Sequence, residues 1–196
     1  MKTKLKDKEL VMNFMSGDRI AIETLINRHK ERVYTYILFI VKNEKLAEDI
    51  FQDTFIKVIK SLQKGKYNEQ GIFVSWVIRI AHNLTIDHFR KKSRMPTYSN
   101  DENPDIDIFN SQKFADATIE DELIKDQIAA EIRQLVDILP HEQREVVLLR
   151  HFGNLSFKEI AEQTDVSINT ALGRMRYALI NLRKLVGEKK LNLLLM

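Results

Sequence analysis

Apolar residues recur along most of this chain at alternating spacings of three and four, the period of an amphipathic helix. Leu10, Val11, Phe14 and Met15 form one such set, and a short helix is expected over about 6–15. Gly17 suits its end, and Asp18 is placed to cap the next helix. That helix runs to about Lys42, with Ile22, Leu25, Ile26, His29, Val33, Tyr36, Ile37 and Ile40 inward. His29 lies near the core face and reads as a satisfied, partly buried histidine. A third helix over about 44–62 buries Leu46, Ala47, Ile50, Phe51, Thr54, Phe55, Val58 and Ile59, and its opposite side carries Glu48, Asp49, Gln52 and Asp53.

A loop at 63–70, with Tyr67 inside it, leads to the stretch that organises the chain, 71–94. There Phe73, Trp76, Val77, Ile80 and Leu84 are expected on one face, and Arg79, Asn83 and Arg90 on another. The end of this helix is cationic, with Arg90, Lys91, Lys92 and Arg94. His82 and His88 are six residues apart and fall on different faces, which argues against a zinc site.

After residue 94 the pattern lapses. Residues 95–117 hold two prolines and many Asn, Asp and Ser, the composition of a tether. Helical periodicity resumes at Thr118, with Ile119, Leu123, Ile128, Ile132, Leu135, Val136 and Leu139 inward, and Pro140 is expected at the first position of a further helix ending at Gly153. Ser156 and Glu159 are spaced as a capping box, with Leu155 and Ile160 as its hydrophobic staple. A short helix to Gln163, a tight turn at 164–166 and a second helix capped by Ser167 complete a helix-turn-helix, with small Ala161 permitting a close crossing. In the second helix Ile168, Leu172, Met175, Leu179, Leu182 and Val186 are expected inward. Thr170, Gly173, Arg174 and Tyr177 are expected outward, with Arg176 at the flank. The apolar end, 191–196, reads as fraying or packing.

The fold expected is all-α: two small helical domains, 1–94 and 118–196, joined by an acidic flexible linker, 95–117, with the second a helix-turn-helix (winged-helix-like) domain. Charge sharpens this division. The net charge is only +3, yet residues 95–122 carry −7, which leaves +10 on the remainder. Basic blocks on either side of an acidic one favour a polyanionic partner. The absence of cysteine removes disulfides and thiolate metal sites. With a charged N-terminus and no run long enough to span a bilayer, a cytoplasmic protein is expected.

The candidate chemistry is recognition. Lys and Arg neutralise phosphates, Asn pairs with a base edge, and aromatic rings stack on unpaired bases. The same features also describe an ordinary amphipathic helix with cations at its C-terminus. The acidic face of the third helix is either a solvated surface or a dock for a basic partner. No nucleophile–base pair, metal-ligand cluster or cofactor motif emerges, so no catalytic residue and no metal is assigned. A stand-alone helix-turn-helix regulator accounts for the C-terminal half alone.

Three stretches taken together, LAEDIFQDTFIKVIKSL, FVSWVIRIAHNLTIDHFRKKSR and the run from LPHEQREVV to NLRKL, resemble the sigma-70 family of bacterial RNA polymerase sigma factors. The likeness is to its extracytoplasmic-function (ECF) group. It implies a non-enzymatic subunit that binds core polymerase through its largest and second-largest subunits. It places Asp49, Gln52 and Asp53 on the polymerase dock. It places Tyr67, Phe73, Trp76, Arg79, Asn83, Arg90 and Lys91 at the −10 element, with Asn83 at the base-contacting position. Ser167, Thr170, Arg174, Arg176 and Tyr177 would serve the −35 element, the linker would thread toward the RNA exit path, and an anti-sigma factor would be a partner. Leu172 and Gly173 stand where many members carry a basic and a small polar residue, and Tyr177 where arginine is frequent. The preferred −35 sequence therefore does not follow from the resemblance.

Overall fold

A computed structural model describes residues 5–67, 72–94 and 132–188. The tether, the helix onset at Thr118 with Ile119, Leu123 and Ile128, and the apolar C-terminal end lie outside the described residues. The helices in order are α1 (Asp7–Met15), α2 (Arg19–Val41), α3 (Glu44–Gln63), α4 (Phe73–Arg94), α5 (residues 132–138), α6 (His141–Gly153), α7 (Phe157–Gln163) and α8 (Ile168–Glu188). No strand occurs among the described residues, and no β wing accompanies the helix-turn-helix there. None of the described helices is long and apolar enough to cross a membrane. The chain divides into two compact units, one built on α1–α4 and the other centred on α6–α8.

In the first unit α2, α3 and α4 each pack against the other two, and α1 lies along α2. Local chemistry sets the boundaries. Asp18 Oδ1 accepts the Ile20 N–H at 2.9 Å, and Asn43 Oδ1 accepts the Leu46 N–H at 2.9 Å, so α2 and α3 each open on a side-chain cap. Gly17 takes φ +105° at the turn between α1 and α2, a conformation that costs glycine little. Leu25, Val33, Ile37, Ala47, Val58, Val77 and Ile78 form the floor of the core at zero exposure. Met15, expected inward on α1, is 52% exposed; α1 needs only Leu10 and Val11 to seat on α2.

One polar pair sits inside this core. Tyr36 Oη and His82 Nδ1 lie 2.8 Å apart, joining α2 to α4, with Tyr36 at 0% and His82 at 3% exposure. The bond fixes the rotation of α4 about its axis, because each partner loses hydrogen-bonding when α4 turns. Tyr36→Phe removes the hydroxyl alone and should lower the unfolding free energy by about 1–3 kcal/mol, read from urea denaturation.

The second unit is assembled on Leu135, Val136, Leu139, Val146, Leu149, Leu155, Ile160, Ala171 and Ala178, all buried. Ile132, expected inward, is 45% exposed. The Pro140 carbonyl accepts the Gln143 and Arg144 N–H groups at 3.0 and 2.9 Å, so the proline stands just outside α6 as its cap residue, one position before the expected one. The capping box of α7 is formed: Glu159 Oε2 accepts the Ser156 N–H at 2.8 Å, and Ser156 Oγ accepts the Glu159 N–H at 3.3 Å. Leu155 and Ile160, the expected staple, are both fully buried. The turn to α8 passes through Asp165 at φ +53° and is closed by a bond from the Val166 N–H to the Ala161 carbonyl at 3.0 Å. Asn181 Nδ2 donates to Gln143 Oε1 at 2.8 Å, tying α8 to α6.

Candidate nucleic-acid interface

The buried side of α4 runs through Phe73, Val74, Val77, Ile78, Ala81, His82 and Thr85. At about 100° per residue, Trp76, Arg79, Asn83 and Arg90 then share the opposite side. This corrects the expected face of Trp76. Its ring is partly exposed and belongs with the polar stripe, in line with Arg79 and Asn83 one and two turns on. Asn83, Arg90 and Lys91 are exposed and Arg79 is half-buried. A tryptophan, an amide and cations thus follow one another along a single helix face, the cations at its C-terminal end where the helix dipole favours them.

Tyr67, which precedes α4 in the chain, packs against this face. Its ring lies 4.6 Å from Trp76 and 6.0 Å from Phe73, and Phe73 and Trp76 are 6.0 Å apart. Phe73 is 2% exposed, so it backs the other two rings and offers no face of its own to a ligand. Tyr67 and Trp76, both half-buried, remain as the pair on which an unpaired base can stack.

On α3, Asp49, Gln52 and Asp53 are all exposed and, at spacings of three and four, form one patch. Ile56, one turn further, adds a 48% exposed apolar residue to the same side. Glu44 and Glu48 extend the negative field around the start of the helix: after burial, these two carboxylates push the Tyr34 hydroxyl above its ordinary pKa. The patch is therefore anionic with an apolar end, suited to a basic protein surface and repellent to phosphate.

In the helix-turn-helix, Ser167 caps α8 by accepting the Thr170 N–H at 3.0 Å, and the two hydroxyls lie 2.8 Å apart. The inward stripe of α8 differs from the one expected. Ala171 and Ala178 are completely buried, while Ile168, Leu172 and Leu179 are 45, 43 and 44% exposed. α8 packs on α7, where Ala161 is buried, and is tied to α6, and small side chains line its buried side while the larger residues lie beside it. Arg174 follows from the same rotation. It stands three residues after Ala171 and four before Ala178, so it lies toward the buried side and is half-covered. Its charge acts on Glu145 of α6, whose pKa is raised by burial against the lowering influence of His141 and Arg174, with Glu142 adding to the rise.

Thr170, Arg176 and Tyr177 remain on the open side, Tyr177 at 61% exposure. Asn169 and Arg183 share it with Arg176 at spacings of three and four through Gly173 and Ile180. Neither was singled out from the sequence; the stripe Asn169–Gly173–Arg176–Ile180–Arg183 becomes visible once the alanines are taken as the inner face. A Cβ built at Gly173 would meet nothing within 4 Å. Beside this stripe, Phe157, Leu172, Met175, Leu179 and Ile180 floor an open groove of about 460 Å³, rimmed by Arg176 and Arg183.

Comparison with known proteins covers both units. The family model described as Sigma-70 region 2 matches residues 25–95, and that described as Sigma-70, region 4 matches residues 129–177. The ECF RNA polymerase sigma factor SigW of Bacillus subtilis is 30% identical over 182 residues, covering 90% of this chain and 95% of its own. RNA polymerase sigma factor CarQ of Myxococcus xanthus is 30% identical over 181 residues, covering 91% and 96%. Among solved structures, CnrH in complex with the cytosolic domain of CnrY aligns with a TM-score of 0.59 at 22% identity, covering 93% of this chain and 97% of that one. The sigma factor RpoE in complex with the anti-sigma factor NepR, from Bartonella quintana, aligns with a TM-score of 0.59 at 17% identity, covering 84% and 96%. At these identities the structural likeness is one of fold.

Proposed function

The chain belongs to the sigma-70 family of RNA polymerase sigma factors, in its ECF group, and we propose from that premise how its surfaces divide the work of promoter recognition. Its function is to bind core RNA polymerase and direct promoter-specific initiation through the −10 and −35 elements. The domains are taken as 1–94 and 118–196, with 95–117 as the acidic linker. Asp49, Gln52 and Asp53 form the dock for core polymerase. Asn83 reads a base of the opened −10 strand, Tyr67 and Trp76 stack on it with Phe73 beneath, and Arg79, Arg90 and Lys91 hold its phosphates. The N-terminal turns of α8 enter the −35 major groove, with Arg176 and Tyr177 foremost, Ser167 and Thr170 near the backbone, and Arg174 at the margin. The protein acts in the cytoplasm, carries no catalytic step or cofactor of its own, and is withheld from polymerase by an anti-sigma factor.

The observation that carries this reading is the alignment of Trp76 with Asn83 on the open face of α4, with Tyr67 against the tryptophan. Each DNA contact is small, and polymerase makes them strong together by holding the two units at a fixed distance, which raises the effective concentration of the second contact. A stand-alone helix-turn-helix regulator leaves the region 2 match and the α3 patch without a task. The test is run-off transcription with purified core polymerase. The chain should support initiation at defined start sites, and Asn83→Ala should reduce open-complex formation by about tenfold, the loss of one bidentate base contact. Tight, sequence-specific binding of duplex promoter by the chain alone would overturn the reading.

A further inference from the structure

Asp7, the first residue of α1, spends both carboxylate oxygens on α2. Oδ1 accepts from the Arg28 guanidinium, and Oδ2 lies 2.7 Å from His29 Nε2. All three side chains are mostly covered, at 24, 20 and 13% exposure for Asp7, Arg28 and His29. The imidazole does not end there. Its ring centre lies 5.6 Å from that of Phe73, at an interplanar angle of 43°. Phe73 is the buried ring on which Tyr67 and Trp76 rest. A continuous set of contacts therefore runs from a carboxylate on α1, through an imidazole on α2, to the aromatic pair at the mouth of α4.

We propose that Asp7 and His29 are positioning residues for this aromatic pair: the carboxylate fixes the imidazole plane, the imidazole fixes the Phe73 ring, and Phe73 sets the spacing at which Tyr67 and Trp76 receive a base. The physical basis is the difference between a hydrogen-bonded ring and a merely packed one. A phenylalanine in an aromatic cluster keeps its place only as far as its neighbours keep theirs. Tyr67 is carried by a loop, so the pair has no helical backbone holding both rings in register. The Asp7–His29 bond supplies directional restraint from the far side of the cluster, and Arg28 locks the carboxylate by its other oxygen. Stacking on a single base depends on ring placement, which makes a restraint two residues away functional as well as structural.

The inference rests on the reading that Tyr67 and Trp76 meet the opened strand, and the experiment separates the two. Holoenzyme is assembled from core polymerase and the full chain carrying D7N, D7E, H29F or W76A. H29F keeps a ring against Phe73 and removes only the bond to Asp7. Three quantities are read: affinity for core polymerase, permanganate reactivity of the opened promoter, and the emission of Trp76 in the free chain, where it is the only tryptophan. W76A should reduce opening by about tenfold through lost stacking. D7N and H29F should shift Trp76 emission and reduce opening by about three- to tenfold at unchanged core affinity, and D7E should restore part of the loss. If W76A reduces opening while D7N and H29F leave both emission and opening as in the wild type, the positioning role is overturned and the stacking reading stands. If W76A leaves opening unchanged, the stacking reading falls and takes the inference with it. If D7N and H29F lower the melting temperature and core affinity in proportion to opening, the pair is structural only and the proposal is overturned.

Discussion

Ala178→Leu will destabilise the second unit by about 1–3 kcal/mol, while Leu179→Ala, one position on, will stay within about 0.5 kcal/mol of the parent. The contrast follows from the inner face of α8. Ala178 is completely buried beside Ala171, so added methylenes have no space and must push α8 off the helices beneath it. Leu179 is 44% exposed and leaves only a shallower surface when shortened. A unit this small has a stability of only a few kcal/mol, so the larger loss melts an appreciable fraction of it near 37 °C. Transcription that depends on the −35 element should fall with it, while association with core polymerase through the first unit persists. Thermal unfolding of both variants is the direct check; equal losses would return Leu179 to the core.

Reversing Asp49 and Asp53 together to lysine should weaken binding to core polymerase by about a hundredfold, about tenfold for each charge. Both carboxylates are exposed at the centre of the α3 patch, and neither supports the helix from within, so the fold should not change. The loss should appear chiefly in the association rate and shrink as salt is raised, because the attraction being reversed is a steering field. Competition with a labelled wild-type chain for limiting core enzyme measures it. Unchanged affinity for the double variant would show that polymerase docks elsewhere.

The helices, the caps at Asp18 and Ser156 and the helix-turn-helix were legible in the sequence because they depend on neighbours within four residues. So was the satisfied state of His29, although not its partner. The faces of α4 and α8 were less legible, for a shared reason. Periodicity marks the largest apolar side chains, and in both helices the buried line is set by tertiary contacts instead. In α8 the buried line passes through Ala171 and Ala178 and leaves Leu172 and Leu179 outside. In α4 three polar residues, Ser75, His82 and Thr85, lie inside, His82 bonded to Tyr36, and the tryptophan lies at the open edge. Bonds between residues far apart in the chain, such as Asp7 to His29 and Tyr36 to His82, leave no periodic trace. The patch of Asp49, Gln52 and Asp53 on α3 was legible because exposure is the ordinary state of Asp and Gln, and three such groups on one side of a helix need no tertiary information to place.

Gly173 carries a consequence for descent. Alanine there would strengthen α8 by about 0.5–1 kcal/mol, since glycine is a poor helix residue. The space above it is vacant, so a new side chain would project from the open stripe without repacking anything beneath. Glycine codons reach serine, arginine or alanine by single nucleotide changes. If this stripe faces the −35 element as proposed, duplicated copies of the gene can acquire divergent promoter preferences one step at a time, with no loss of folding along the way.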